Sequence, residues 1–217
     1  MFAVDHAATA LLVKRAYPSV PLTPVLVSVQ AMELAWVGLN YAGIERTATE
    51  STVRSVADIH LAYMPYSHSV ATAVAAAVMA WLIVEKGLGR AALGRAVGIG
   101  VVSHLLLDLA THARDIALAP GWPTPKLGLG LYAAAPFLAF VVEFLYGVFC
   151  WYVDRGGSAL LAVICLGNLA NLSFLSPAIP GPESYLAGRP TLVVTVVFVQ
   201  IVVTLILVGS FSRRRDG

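Results

Sequence analysis

Residues Thr191 to Ser210 read T-L-V-V-T-V-V-F-V-Q-I-V-V-T-L-I-L-V-G-S, without one charged side chain, and Arg213, Arg214 and Arg215 follow closely. A helix rising 1.5 Å per residue covers the ~30 Å hydrocarbon core of a bilayer in about 20 residues, which is the length of this run. The arginines behind it are the flank expected of a cytoplasmic end. Working back from this run, further apolar segments lie at Val20 to Gly43, His68 to Val84, Leu93 to Thr111, Leu131 to Tyr152 and Ala159 to Leu175. The segment from Ala159 is short and interrupted by Asn168 and Asn171. The chain has 217 residues, of which 59% are hydrophobic and 12% charged, far from the usual balance of a soluble domain. The expected fold is all-α: a polytopic helical membrane protein of about six transmembrane helices, preceded by a short N-terminal helix. The whole chain, 1–217, reads as a single integral-membrane domain in which residues 1–130 carry the candidate site and 131–217 add three spans.

Basic residues orient the spans. With six crossings, Lys14, Arg15, Lys86, Arg90, Arg95, Arg155 and the three C-terminal arginines share one side, nine in all, against Arg46, Arg54, Arg114, Lys126 and Arg189 on the other. That bias predicts both termini in the cytoplasm. Polar loops over residues 44–67 and 112–130 would face the opposite side and form a mouth or lid. The net charge of +2 comes from residues at segment ends, so no nucleic-acid partner is expected. Cys150 and Cys165 lie in apolar runs without metal-knuckle spacing and read as packing residues. The first residues do not read as a signal peptide, because Asp5 and His6 precede the apolar stretch and Lys14 and Arg15 follow it. No internal repeat is visible, in contrast to many transporters.

Ionisable side chains within apolar segments are costly and mark functional sites by default. If Pro18 to Pro24 makes a turn, His6 and Glu33 lie 13 to 14 residues on either side of it and reach the same depth, roughly 20 Å from the turn. His68 and Asp108 likewise lie 20 residues on either side of Leu88. Each hairpin so brings an imidazole level with a carboxylate. In the third span His104, Asp108, Thr111 and Asp115 fall on one helical face, with His112 at its edge. The spacing H-x-x-x-D puts an imidazole and a carboxylate one turn apart, suited to gripping a cation from one side. The five histidines, His6, His60, His68, His104 and His112, all fall toward one end of the bundle. With Glu33, Asp58 and Asp108 they form a candidate site for one or two divalent ions, which would activate water and neutralise an oxyanion.

Structural roles compete with this reading. His104 and Asp108 could be a hydrogen-bonded couple between helices. His60 could be a solvated loop residue, Asp58 a helix cap, and His112 with Asp115 a C-terminal cap. Glu143 could pair with an Arg or Tyr inside the bundle.

The order and type of these residues resemble a family of bacterial integral-membrane proteins described as metal-dependent hydrolases. That family is similar in turn to the zinc-dependent phospholipase C and single-strand nuclease superfamily. The resemblance covers roughly the first 130 residues and rests on His6, then Glu33, then Ser67-His68-Ser69, then Ser103-His104, Asp108, Thr111 and His112. Glu33 stands where the pattern has Asp, and no basic residue precedes the S-H-S motif. The resemblance implies His6, Glu33, His68, His104 and Asp108 as ligands of zinc, with His112 a further candidate. It also implies a remaining carboxylate, Glu33, Asp108 or Asp58, steering the attacking water. The expected protein is a hydrolase of the bacterial inner membrane that acts on an ester, preferably a phosphoester, of a lipid-like substrate. The same cluster could instead serve ion or proton transport, or the polar residues could only hold a membrane scaffold together.

Overall fold

The computed structural model describes residues 1–122, 124–176 and 178–212; Pro123 and the basic flank Arg213 to Arg215 lie outside the described residues. It is mostly helical, with ten α-helices among those residues. Four helices are long and apolar enough to cross a membrane: α4 (Val70–Leu82, prolonged by a π turn to Gly87), α5 (Ala91–Thr111), α7 (Pro136–Asp154) and α10 (Pro190–Ser212). A fifth candidate is the pair α2 (Leu22–Val29) and α3 (Ala31–Tyr41), bent by 52° at Gln30. The segment expected from Ala159 to Leu175 is broken. It forms α8 (Ser158–Leu169), 12 residues long, and the short α9 (Leu172–Leu175). Asn168 and Asn171 sit at this break; Asn168 donates to the Ile164 carbonyl and to Asp5, and Asn171 accepts from Gln200 of α10. Side chains that compete for the backbone in this way favour helix ends.

The N-terminal helix α1 (Ala3–Ala16) is the middle of the bundle, packed against α2, α5, α7, α8 and α10. Ten of its 14 residues are buried, four of them alanines. Small side chains let several helices approach one axis closely. By contrast α4, α7 and α10 expose apolar side chains outward, among them Met79, Ile83, Phe137, Leu145, Phe149 and Ile206.

The two polar loops are not wholly irregular, as the all-α expectation had them. β1 (Arg46–Thr49) pairs with β2 (Ile59–Tyr63), and β3 (Ile116–Ala117) pairs with β4 (Lys126–Leu127), both antiparallel. The second hairpin is pinned to the site-bearing end of the bundle: Ser69 bridges Ala117, Ala71 N–H donates to Leu118, and Gly130 N–H donates to the His112 carbonyl. Gly128, at φ +134°, is required in this return, because a Cβ there would stand 2.1 Å from the Ala113 carbonyl oxygen. Between this hairpin and α7 lies the single turn α6 (Leu131–Ala134).

Candidate metal centre

Three helices converge near the C-terminal end of α5. Glu33 comes from the first turn of α3, His68 from just before α4, and His104 and Asp108 from successive turns of α5. One ligand atom from each lies within 4.8 Å of all the others. His104 Nε2 is 3.1 Å from Asp108 Oδ2 and 3.4 Å from Glu33 Oε2; His68 Nε2 is 3.6 Å and 3.3 Å from the same two oxygens. His68, His104 and Asp108 are buried, and Glu33 is partly open at 21% side-chain exposure.

Each imidazole is oriented from behind. At the bend between α2 and α3 the Val29 carbonyl accepts from His104 Nδ1–H at 2.9 Å. Close approach of α2 to α5 depends on Gly100, whose added Cβ would stand 2.0 Å from Ser28 Oγ. His68 is held by a longer chain. Glu45 accepts from the backbone N–H groups of Tyr66 and Ser67 at 2.8 and 2.9 Å and from Ser67 Oγ–H at 2.5 Å. With its proton committed to Glu45, the Ser67 hydroxyl accepts from His68 Nδ1–H at 2.8 Å. Both rings therefore keep their proton on Nδ1 and turn the Nε2 lone pair inward, the usual orientation of metal-ligating histidines. His68 Nε2, His104 Nε2 and Asp108 Oδ2 are buried without any hydrogen-bond partner. Orphaned buried polar atoms are costly, and a cation among them satisfies all three at once. Two imidazoles and two carboxylates are the nitrogen and oxygen donors that zinc accepts. The residues present therefore fit a divalent ion.

Asp108 divides the site. Its Oδ1 turns away from the four-residue cluster, 3.2 Å from His6 Nε2, 3.7 Å from His112 Nε2 and 2.6 Å from the Met1 amino group. His6 is not one of the four converging residues; its ring stacks on His104 at 3.9 Å and 15°. His112 caps α5 and also approaches Asp115, 3.6 Å from Nδ1, which has left the helical face predicted for it. Burial opposes the charged form of His112, but Asp108 and Asp115 outweigh it and raise its pKa.

Two residues expected at the site are not among the four that converge. Asp58 Oδ2 accepts from Arg54 and Ser55 backbone N–H groups and closes a capping box, so this carboxylate is committed to its own turn. His60 pairs with Glu50 at 2.7 Å, both exposed. Glu143 accepts from Tyr132 at 2.6 Å, a pairing with a Tyr inside the bundle. Glu45 carries no signal in the sequence, because its partners are 21 and 22 residues away and nothing in its local spacing announces them. A cavity of about 290 Å³ adjoins the cluster; Glu33, His6, His60, His112 and Asp115 line it among mostly apolar side chains. No family model, characterised protein or solved structure matches the chain, so the centre is read from its own geometry.

Proposed function

We propose that this chain is a divalent-metal-dependent hydrolase of the bacterial inner membrane, acting on an ester of a lipid-like substrate, with a phosphoester preferred. It would belong with the membrane hydrolases that its motifs resemble. The bent α2–α3 pair, α4, α5, α7, α8 with α9, and α10 make the six crossings, with the α1–α2 connection and the C-terminal flank cytoplasmic, as the excess of basic residues on that side supports. The expected cytoplasmic N-terminus does not fit, because α1 runs into the bundle and its Met1 amino group meets Asp108 and Thr111 at the opposite end of α5. The observation that carries the reading is the convergence of Glu33, His68, His104 and Asp108 with three buried ligand atoms left unpartnered.

A divalent ion in that position supplies Lewis acidity and lowers the pKa of a water toward neutrality. The chain's own residues do the rest. Ser67 and the Val29 carbonyl hold the two imidazoles in the ligating tautomer. Asp108, fully enclosed, carries the buried negative charge that balances a cation. Glu33 alone of the four lines the cavity and is placed to accept the proton of an attacking water. His112 stands on the same wall and is placed to return a proton to the leaving oxygen. The apolar walls exclude bulk water, which strengthens each of these interactions.

Protein purified without chelator should contain zinc, manganese or iron by elemental analysis and hydrolyse single-chain phosphoesters or carboxyl esters in detergent. Chelation should abolish turnover and added zinc restore it. Metal-free protein whose turnover is unchanged by His104→Ala would refute the reading.

A further inference from the structure

The cavity beside the cluster has apolar walls drawn from distant parts of the chain, including Phe2, Ile59, Phe174, Leu186, Val193 and Val197. At about 290 Å³ it lies at the lower edge of the ~300–1,000 Å³ typical of ligand pockets. A single alkyl chain suits that space; the paired chains of a bilayer lipid, each half the ~30 Å core in length, do not. Among the described residues no Lys or Arg lines it.

A second cavity of about 340 Å³ lies between the two hairpins and shares Leu61 and Asp115 with the first. Its character differs. It holds Lys126 with Tyr63 and Trp122, residues that are 43% and 62% exposed. Aromatic and basic side chains of this kind favour the polar boundary of a membrane. Glu33 and His112 face the inner cavity, and Asp115 stands where the two meet, so the metal cluster lies beside the passage from apolar to polar space.

From this pairing we infer that the substrate is a single-chain amphiphile with a polar group on the far side of its ester. Its chain fills the inner cavity, its ester meets the cluster, and its outer polar group lies in the second cavity against Trp122 and Lys126. The inference rests on the hydrolase reading and adds the number of chains and the direction in which the molecule lies.

The test is equilibrium binding to zinc-loaded protein in detergent micelles, with each lipid supplied as its non-hydrolysable phosphonate analogue and zinc content measured on every sample. Lysophosphatidylglycerol is compared with diacyl phosphatidylglycerol and with glycerol 3-phosphate, and with the variants Val197→Trp and Lys126→Glu. The single-chain lipid should bind at least about tenfold more tightly than either alternative, since only it can use both cavities. Val197→Trp should lose about tenfold, and Lys126→Glu severalfold, with zinc retained in both. Retained zinc shows that a variant has folded. Equal binding of the two-chain lipid or of glycerol 3-phosphate, or an unchanged affinity in zinc-loaded Val197→Trp, would overturn the inference and leave the metal centre standing. Wild-type protein that takes up none of zinc, manganese and iron would overturn the hydrolase reading and the inference with it.

Discussion

Two buried polar regions lie on either side of α1, and their hydrogen bonding differs. On the α3–α5 side, His68 Nε2, His104 Nε2 and Asp108 Oδ2 face one another without a donor between them. On the α7–α8 side, Glu143 is saturated: Oε1 accepts from Tyr132 at 2.6 Å and Oε2 from the Phe2 N–H at 3.1 Å. Close by, Thr9 bonds Tyr146 at 2.8 Å, and Asp5 accepts from Asn168 at 3.2 Å across Gly147, keeping one oxygen without a partner. Both regions contain ionisable residues at similar burial. Burial alone therefore does not separate ligand from structural strut; what separates them is whether the polar atoms are spent on the protein or left convergent.

That distinction can be broken by substitution. The largest effect is expected from His104→Ala, which should weaken zinc binding by more than about 100-fold in a calorimetric titration, since it removes a ligand whose outer partners alone are worth 10–100-fold. Its metal-free melting temperature should move less than that of Glu143→Ala. Next comes Glu45→Gln, which disturbs the chain through Ser67 to His68 and should weaken zinc binding by roughly 10–100-fold while leaving the stoichiometry intact. Glu143→Ala should do the reverse. It leaves the Phe2 N–H and the Tyr132 hydroxyl unpaired, at a cost of about 1–3 kcal/mol each, so the melting temperature falls while zinc affinity below the transition is kept. The smallest effect belongs to Asp58→Asn, expected to leave zinc affinity within about twofold because its carboxylate serves a surface cap. A large loss there would bring the first hairpin into the centre and blur the contrast.

How far the sequence reveals this arrangement depends on the range of the forces involved. α10 is legible because length and hydropathy are local properties, and it does form one helix from Pro190 to Ser212. The pairing of His6 with Glu33 and of His68 with Asp108 by depth is legible because helical rise is nearly constant. The structure brings all four residues to one place, although His6 reaches the far oxygen of Asp108 and not the four-residue cluster. The central position of α1 is not legible. A helix buried nearly all round has no amphipathic face to read, and its alanines are equally at home on an outer surface. Nor is Glu45, whose role exists only once the turn before α4 folds back over the end of α3. The hairpins were hidden for a further reason: R-T-A-T and I-H-L-A-Y carry too little alternation to announce a strand.

X-ray absorption spectroscopy on zinc-loaded protein tests the four-residue centre most directly. One stoichiometric site is expected, with only nitrogen and oxygen neighbours at about 2.0–2.2 Å and the outer-shell signature of two imidazoles, lost in the His68→Ala, His104→Ala double variant. Sulfur neighbours at about 2.3 Å, which would place the ion at Cys150 or Cys165, or zinc that stays bound in the double variant, would contradict it.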